Sequence, residues 1–264
     1  MRAKKRFGQH FLHDRTVIER IVASLAPQPG QMLVEIGPGH GALTYPVLRR
    51  GVDLQAIEID RELSEALRAP ATGGNLQVHN LDALHFDFAA LATDTRRLRL
   101  FGNLPYNIAT ELLFRLLRDA ENILDMHFML QKEVAQRLVA VPGSKARGRL
   151  SVMIQAWCGV ELLFSVPPGA FSPPPAVHSA VVHIVPRERP ELGASESDRF
   201  TDVVRRAFQQ RRKTLRNTLR GCLTESAIRE AGVDPGLRAE TLSNAQFVKL
   251  AEQLNPCQST GSQS

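Results

Sequence analysis

The stretch Leu33-Val-Glu-Ile-Gly-Pro-Gly-His-Gly-Ala-Leu-Thr44 decides the fold. A short apolar run ends in Gly37, Gly39 and Gly41, and a helical pattern follows. That order describes a buried strand, a tight turn and a helix start, with glycine allowing sharp turning and close approach to a ligand. Working outward, apolar positions 17, 18, 21, 22 and 25 repeat at helical spacing, with Asp14 or Thr16 as cap, and Pro27, Pro29 and Gly30 end the helix. Strands are expected at 32–36, 52–59, 76–79, 98–101 and 126–130, with helices at 60–67, 110–117 and 132–139 between them. Such alternation implies a mostly parallel, doubly wound sheet. Past residue 142 the pattern predicts a helix at 149–158, then strands at 160–166 and 180–185 around a proline-rich stiff loop.

These spans give a domain of residues 1–187 with a basic arm at 1–14, a linker at 188–198, a helical unit at 199–254 and a polar tail at 255–264. The 264 residues suffice for one large α/β domain and a small appendage, and no apolar run approaches bilayer-spanning length. Cys158, Cys222 and Cys257 show no paired spacing, which suits a reducing, cytoplasmic compartment. The histidine spacing shows no metal-ligand pattern, so no metal is expected. The net charge of +6 suits a polyanionic partner such as nucleic acid. Nothing points to an obligate dimer, so the chain reads as a monomer.

In parallel sheets ligands sit at the carboxyl ends of the strands. Gly37, Glu58, Asp82 and Asn103 all lie at or just past expected strand ends. The glycine turn satisfies G-x-G-x-x-G/A, with Glu58 about 20 residues on to accept ribose hydroxyls, as in dinucleotide sites. From Glu35 it equally satisfies the E-x-G-x-G-x-G pattern of S-adenosylmethionine-dependent methyltransferases. Asp82 suits an adenine amino group. Asn103-Leu104-Pro105-Tyr106 separates the two readings. An adenine amino nitrogen is a poor nucleophile because its lone pair is delocalised. The Asn103 side-chain oxygen and the Leu104 carbonyl, held by Pro105, would accept its hydrogens and localise that pair, while Tyr106 offers a stacking face. A nicotinamide-dependent oxidoreductase and a non-catalytic ribosome assembly factor are the alternatives. The turn has no role in the first, and an intact cofactor pocket argues against the second as the sole role.

From Arg205 to Arg220 the basic residues are Arg205, Arg206, Arg211, Arg212, Lys213, Arg216 and Arg220, with no acid among them. Val204, Phe208, Leu215 and Leu219 share one helical face, so a single basic helix contacting RNA phosphates is expected.

Five stretches together resemble the ribosomal RNA adenine dimethyltransferase family that modifies the small subunit. They are Arg6-Phe-Gly-Gln-His-Phe-Leu12, Val34-Glu-Ile-Gly-Pro-Gly39, Gly102-Asn-Leu-Pro-Tyr-Asn107, Phe171-Ser-Pro-Pro-Pro-Ala-Val-His-Ser179 and Gln209-Gln-Arg-Arg-Lys-Thr-Leu-Arg216. The resemblance implies a Rossmann-like methyltransferase domain with a seven-stranded sheet and a small helical C-terminal domain. It also implies S-adenosylmethionine as cofactor, with contacts at His10, Leu12, Gly37, Glu58, Asp82 and Asn103. It further implies that two adjacent adenosines near the 3′ end of small-subunit (16S) RNA each receive two methyl groups, with a role in subunit biogenesis. Phe171 would stack on the extruded adenine opposite Tyr106. His10 stands where the family often has asparagine, and His178 where it usually has aspartate.

Overall fold

The computed structural model describes residues 9–68, 75–93, 96–188 and 197–254. The basic residues at 2–6, most of the expected linker and the polar tail lie outside the described residues. The chain divides into two compact units, Met1–Gln136 with Gly159–Pro186, and Arg137–Cys158 with Arg187–Ser264.

The first unit opens with β1 (Phe11–Leu12) and α1 (Arg15–Leu25). Asp14 caps α1 by accepting from the Val17 amide at 3.0 Å, and Ala26 closes it in the left-handed conformation, φ 43°. Alternating elements follow: β2 (Met32–Ile36), α2 (Thr44–Leu48), β3 (Asp53–Ile57), α3 (Arg61–Leu67), β4 (Asn75–His79), β5 (Leu98–Asn103), α4 (Ala109–Leu116), β6 (Ile123–Gln131) and α5 (Lys132–Leu138). The chain continues through α6 (Arg149–Trp157), β7 (Cys158–Val166), β8 (Phe171–Ser172) and β9 (Ser179–Pro186). The sheet order is β4-β3-β2-β5-β6-β9-β7, seven strands, parallel from β4 to β6, with β9 antiparallel to β6. The order departs in both directions from β2, so the carboxyl ends of β2 and β5 meet at the switch point.

Four expectations change, three of them before α7 (Ser197–Ala207). The helix after the glycine turn is only five residues, because the turn runs on to Leu43 before α2 begins. The proline-rich loop contains β8, which pairs antiparallel with β1 (Phe11↔Ser172, Leu12↔Phe171) and ties the N-terminal segment to the sheet domain. Residues 137–158, assigned above to the first domain, belong to the second unit. The reason is a buried guanidinium. Arg147, 1% exposed, donates to Leu242 O (3.1 Å), Asn244 Oδ1 (2.7 Å), Ala140 O (2.9 Å) and Gln155 Oε1 (2.9 Å). Trp157 adds an edge-on contact with Phe200 at 5.5 Å.

The second unit continues with α7 (Ser197–Ala207), α8 (Leu215–Thr218), α9 (Glu225–Glu230) and α10 (Asn244–Glu252). The expected single basic helix is thus two helices, α7 and α8, separated by turns over 208–214. Phe200, Val203, Val204, Leu215, Leu219 and Phe247 are buried in this unit.

Gly102 sets the spacing of the two central strands. Its φ is 152°, and a Cβ there would lie 2.2 Å from Ile36 O. We expect Gly102→Ala to cost about 3 kcal/mol or more, through strain and overpacking at once. Gly143→Ala, also at positive φ but with nothing within 4 Å, should cost about 1 kcal/mol. Urea unfolding of the two variants checks the contrast.

Candidate active site

A solvent-open cleft lies at the carboxyl ends of β2, β3, β4 and β5. His10, Leu12, Gly37, Glu58, Asp82, Asn103, Leu104, Pro105 and Tyr106 all line it. Parallel register explains the convergence: Ile36 pairs with Ile57, and Ile57 with His79, so the residues following each strand emerge on one rim.

The glycine turn is shaped by what touches it. A Cβ on Gly39 would sit 3.1 Å from the Phe11 ring, and one on Gly41 would sit 2.4 Å from Tyr45. Phe11 also packs on His40 at 4.2 Å between centroids. The N-terminal segment therefore lies directly on the turn. Its other anchor is Asn103, whose Nδ2 donates to His10 O at 2.9 Å. That bond uses the donor end of the amide and leaves Oδ1 as an acceptor.

Glu58 is 4% exposed, and its carboxylate accepts from Gly39 N (3.0 Å) and Asp60 N (2.9 Å). Burial raises its pKa, opposed by these backbone donors. A carboxylate has lone pairs to spare for further donors. Asn80 Nδ2 donates to Glu58 O at 2.8 Å and holds the backbone here. Asp82 spends Oδ1 on the Leu84 amide at 2.9 Å, while Oδ2 faces His85 at 3.7 Å. Beside the two acids stand Ile59 and Leu81, 44% and 45% exposed, both lining the cleft. Exposed apolar side chains at such a rim are walls for a flat apolar ligand face. Sequence reading passed over both, although each adjoins an acid it had singled out.

Beyond β5, the Leu104 amide donates to Met129 O at 3.1 Å, and Pro105 O, rather than Leu104 O, receives the amides of Ile108 and Ala109. Tyr106 hydrogen-bonds Ser179 Oγ through its hydroxyl at 2.6 Å, which orients the ring. His10 stacks on Tyr106 with centroids 5.7 Å apart, and its Nδ1 donates to Pro173 O at 2.7 Å. Phe171 makes no ring contact with Tyr106 and is closed off from solvent. It is 2% exposed and sits in the core cluster with Leu12, Phe164 and Val166. The β1–β8 pairing directs it inward, and His10 is the ring that meets Tyr106.

This chemistry suits one of the two cofactor classes. The cleft carries Glu35, Glu58 and Asp82 and, among the described residues, no lysine or arginine lines it. The Gly39 amide is spent on Glu58 rather than free for a pyrophosphate. Acid-rich, with apolar walls, the cleft fits an adenosine bearing a cationic sulfonium. Fold and site together define an S-adenosylmethionine-dependent methyltransferase.

Comparison with known proteins narrows the class. The model of the family described as ribosomal RNA adenine dimethylase matches residues 1–256, and this chain belongs to that family. Ribosomal RNA small subunit methyltransferase A of Alcanivorax borkumensis is 49% identical over 255 residues, covering 97% of this chain and 91% of the relative. The protein of that name in Xanthomonas campestris pv. campestris (strain B100) is 54% identical over 250 residues, covering 94% and 95%. The crystal structure of the 23S rRNA methyltransferase ErmE superposes with a TM-score of 0.71 at 28% identity, over 92% of this chain and 99% of that one. Among the described residues, no helix is long and apolar enough to cross a membrane.

Of the seven basic residues, Arg205 and Arg206 pair with Asp202, the latter at 2.6 Å. Arg211 donates to Lys145 O at 2.9 Å. Arg212, Lys213, Arg216 and Arg220 are exposed.

Glu35 was quoted in the motif but not singled out, and the structure gives it a distinct character. It is 2% exposed and lines the cleft, and its Oε2 has no hydrogen-bond partner. Burial pushes its carboxyl up to about 8, with Thr44 opposing and the Glu58 charge adding. The folded state thus binds a proton that the unfolded chain releases near the ordinary 4.5. The associated stability is full below that value and is lost as pH rises toward about 8. Glu35→Gln stays neutral throughout. Its stability advantage over the parent should grow from pH 5 to pH 8 and then level off, as urea unfolding across that range measures.

Proposed function

We propose that this enzyme methylates the exocyclic amino groups of two adjacent adenosines near the 3′ end of small-subunit ribosomal RNA, two methyl groups each. The arrangement of Asn103 to Tyr106 on the cofactor rim carries the reading. The names of the relatives at about half identity over nearly the whole chain favour the small subunit over the large.

When bound, S-adenosylmethionine supplies an electrophilic methyl group. Glu58 would accept the ribose hydroxyls and Asp82 the adenine amino group, with Ile59 and Leu81 holding the base between them. Gly37 keeps the backbone clear for close approach. His10 and Leu12, on the segment crossing the cleft, would shield the methyl donor from water. The target base would rest against Tyr106. Asn103 Oδ1 and the Leu104 carbonyl would take its two amino hydrogens, turning the nitrogen lone pair toward the methyl group. Positioning and fixed dipoles supply the catalysis, since the methylated amine loses its proton readily. Phe171 supports the segment from beneath by packing under Leu12.

Arg212, Lys213, Arg216 and Arg220 are the residues proposed to meet RNA phosphate. Arg205, Arg206 and Arg211 serve the unit's own structure through Asp202 and Lys145. The reading includes a cytoplasmic monomer whose partner is the small ribosomal subunit.

Transfer of labelled methyl groups into undermethylated small subunits tests the reading. Asn103→Ala should slow transfer by about 10²-fold or more, and full rate in that variant would refute the lone-pair argument. Retained subunit binding by Asn103→Ala would show a separable assembly role. Replacing any one of Arg212, Lys213, Arg216 or Arg220 with alanine should lower the slope of log affinity against log salt by about 1. Arg206→Ala should instead lower the melting temperature.

A further inference from the structure

We propose that Asp125, His127 and His183 form a binding site for a divalent transition-metal ion of the zinc and cobalt class. The site lies near the start of β6, away from the cleft. Asp125 pairs with Arg99 and Met129 with Asn103, so four residues of β5, about 13 Å of strand, separate it from the catalytic rim.

Strand pairing builds what spacing conceals. His127 and His183 are direct partners across β6 and β9, and Asp125 lies two residues before His127 on the same face. The two rings stack with centroids 4.2 Å apart and planes 22° from parallel. His183 Nε2 stands 3.5 Å and His127 Nδ1 3.9 Å from Asp125 Oδ2, and the three donor atoms lie within 4.8 Å of one another. Ligands about 2.0–2.1 Å from a tetrahedral ion are about 3.4 Å apart, so small shifts close the set around one ion.

The two nitrogens are the independent observation. His127 Nδ1 and His183 Nε2 are buried, and neither has a hydrogen-bond partner. Buried polar atoms are rarely left so. His127 is 3% exposed, and its contact with the Ser24 backbone must use the other ring nitrogen, which leaves a lone pair on Nδ1.

Arg99 grips both Asp125 oxygens, at 2.9 and 2.8 Å, and is itself held by Leu25 O and Gln31 Oε1. It orients the carboxylate while leaving each oxygen a lone pair. Its positive charge also weakens the site. The ion would be exchangeable, with water reaching the fourth position past the His183 side chain, 29% exposed.

The test uses the tag-free full-length chain, stripped with chelator and titrated with Co²⁺ while visible d–d absorption is read. One equivalent with tetrahedral-type bands is expected. His183→Ala should lose affinity by about tenfold or more, with methyl transfer and unfolding midpoint unchanged. His178→Ala, at an exposed histidine outside the cluster, should bind as the parent does. His183→Ala is chosen because removing Asp125 would strand the Arg99 charge. Absence of Co²⁺ uptake, or uptake indifferent to His183→Ala, overturns the proposal. So does a shared proton among the three groups, seen as a coupled pH shift of both imidazole resonances that Zn²⁺ leaves untouched.

Discussion

The close approach of β2 and β5 is the constraint on which the site depends. At Gly102 the strands leave no room for a side chain beside Ile36 O. One residue on stands Asn103, and one residue past Ile36 stands Gly37, with Asn103 O 3.5 Å from where a Gly37 Cβ would be. The glycine turn and the Asn103 turn, proposed to hold the methyl donor and to present the acceptor, are thus packed backbone to backbone. Catalysis by positioning needs this rigidity, since misplacement of about 1 Å can cost about 10²-fold in rate.

A second layer follows from the first. Asn103 donates to His10 O, Phe11 covers Gly39, and Leu12 pairs with Phe171. The N-terminal segment is thereby fastened to both turns and to the proline-rich loop. Tyr106 is fastened in turn by Ser179, at the end of that loop. Parts of the chain about 160 residues apart thus meet beside one cleft, and each contact orients a group proposed to act in transfer. The buried, neutral Glu35 beneath them is costly to the fold at high pH, a cost tolerated where a cationic ligand would offset it.

Much of this was legible beforehand because the signals are local. Strand ends, glycine spacing and the acids that follow each strand are set by short-range backbone chemistry, and parallel topology carries them to one rim. The Asn103 to Tyr106 turn stood out because the chemistry proposed for it is complete within four residues. The basic run was visible as composition. Which of its members are held by the protein's own acceptors was not, because Asp202 lies just outside it and Lys145 far from it.

The sequence by itself determined the fold class, the cofactor class and the strand-end positions that line the cleft. Tertiary structure decided what depends on long-range pairing. It turned Phe171 into the core and placed His10 against Tyr106, because β1 meets β8 in one particular register. It moved residues 137–158 into the second unit, because Arg147 finds its acceptors there. It also joined Asp125, His127 and His183, because residues opposite one another across an antiparallel pair share a face however distant they are along the chain.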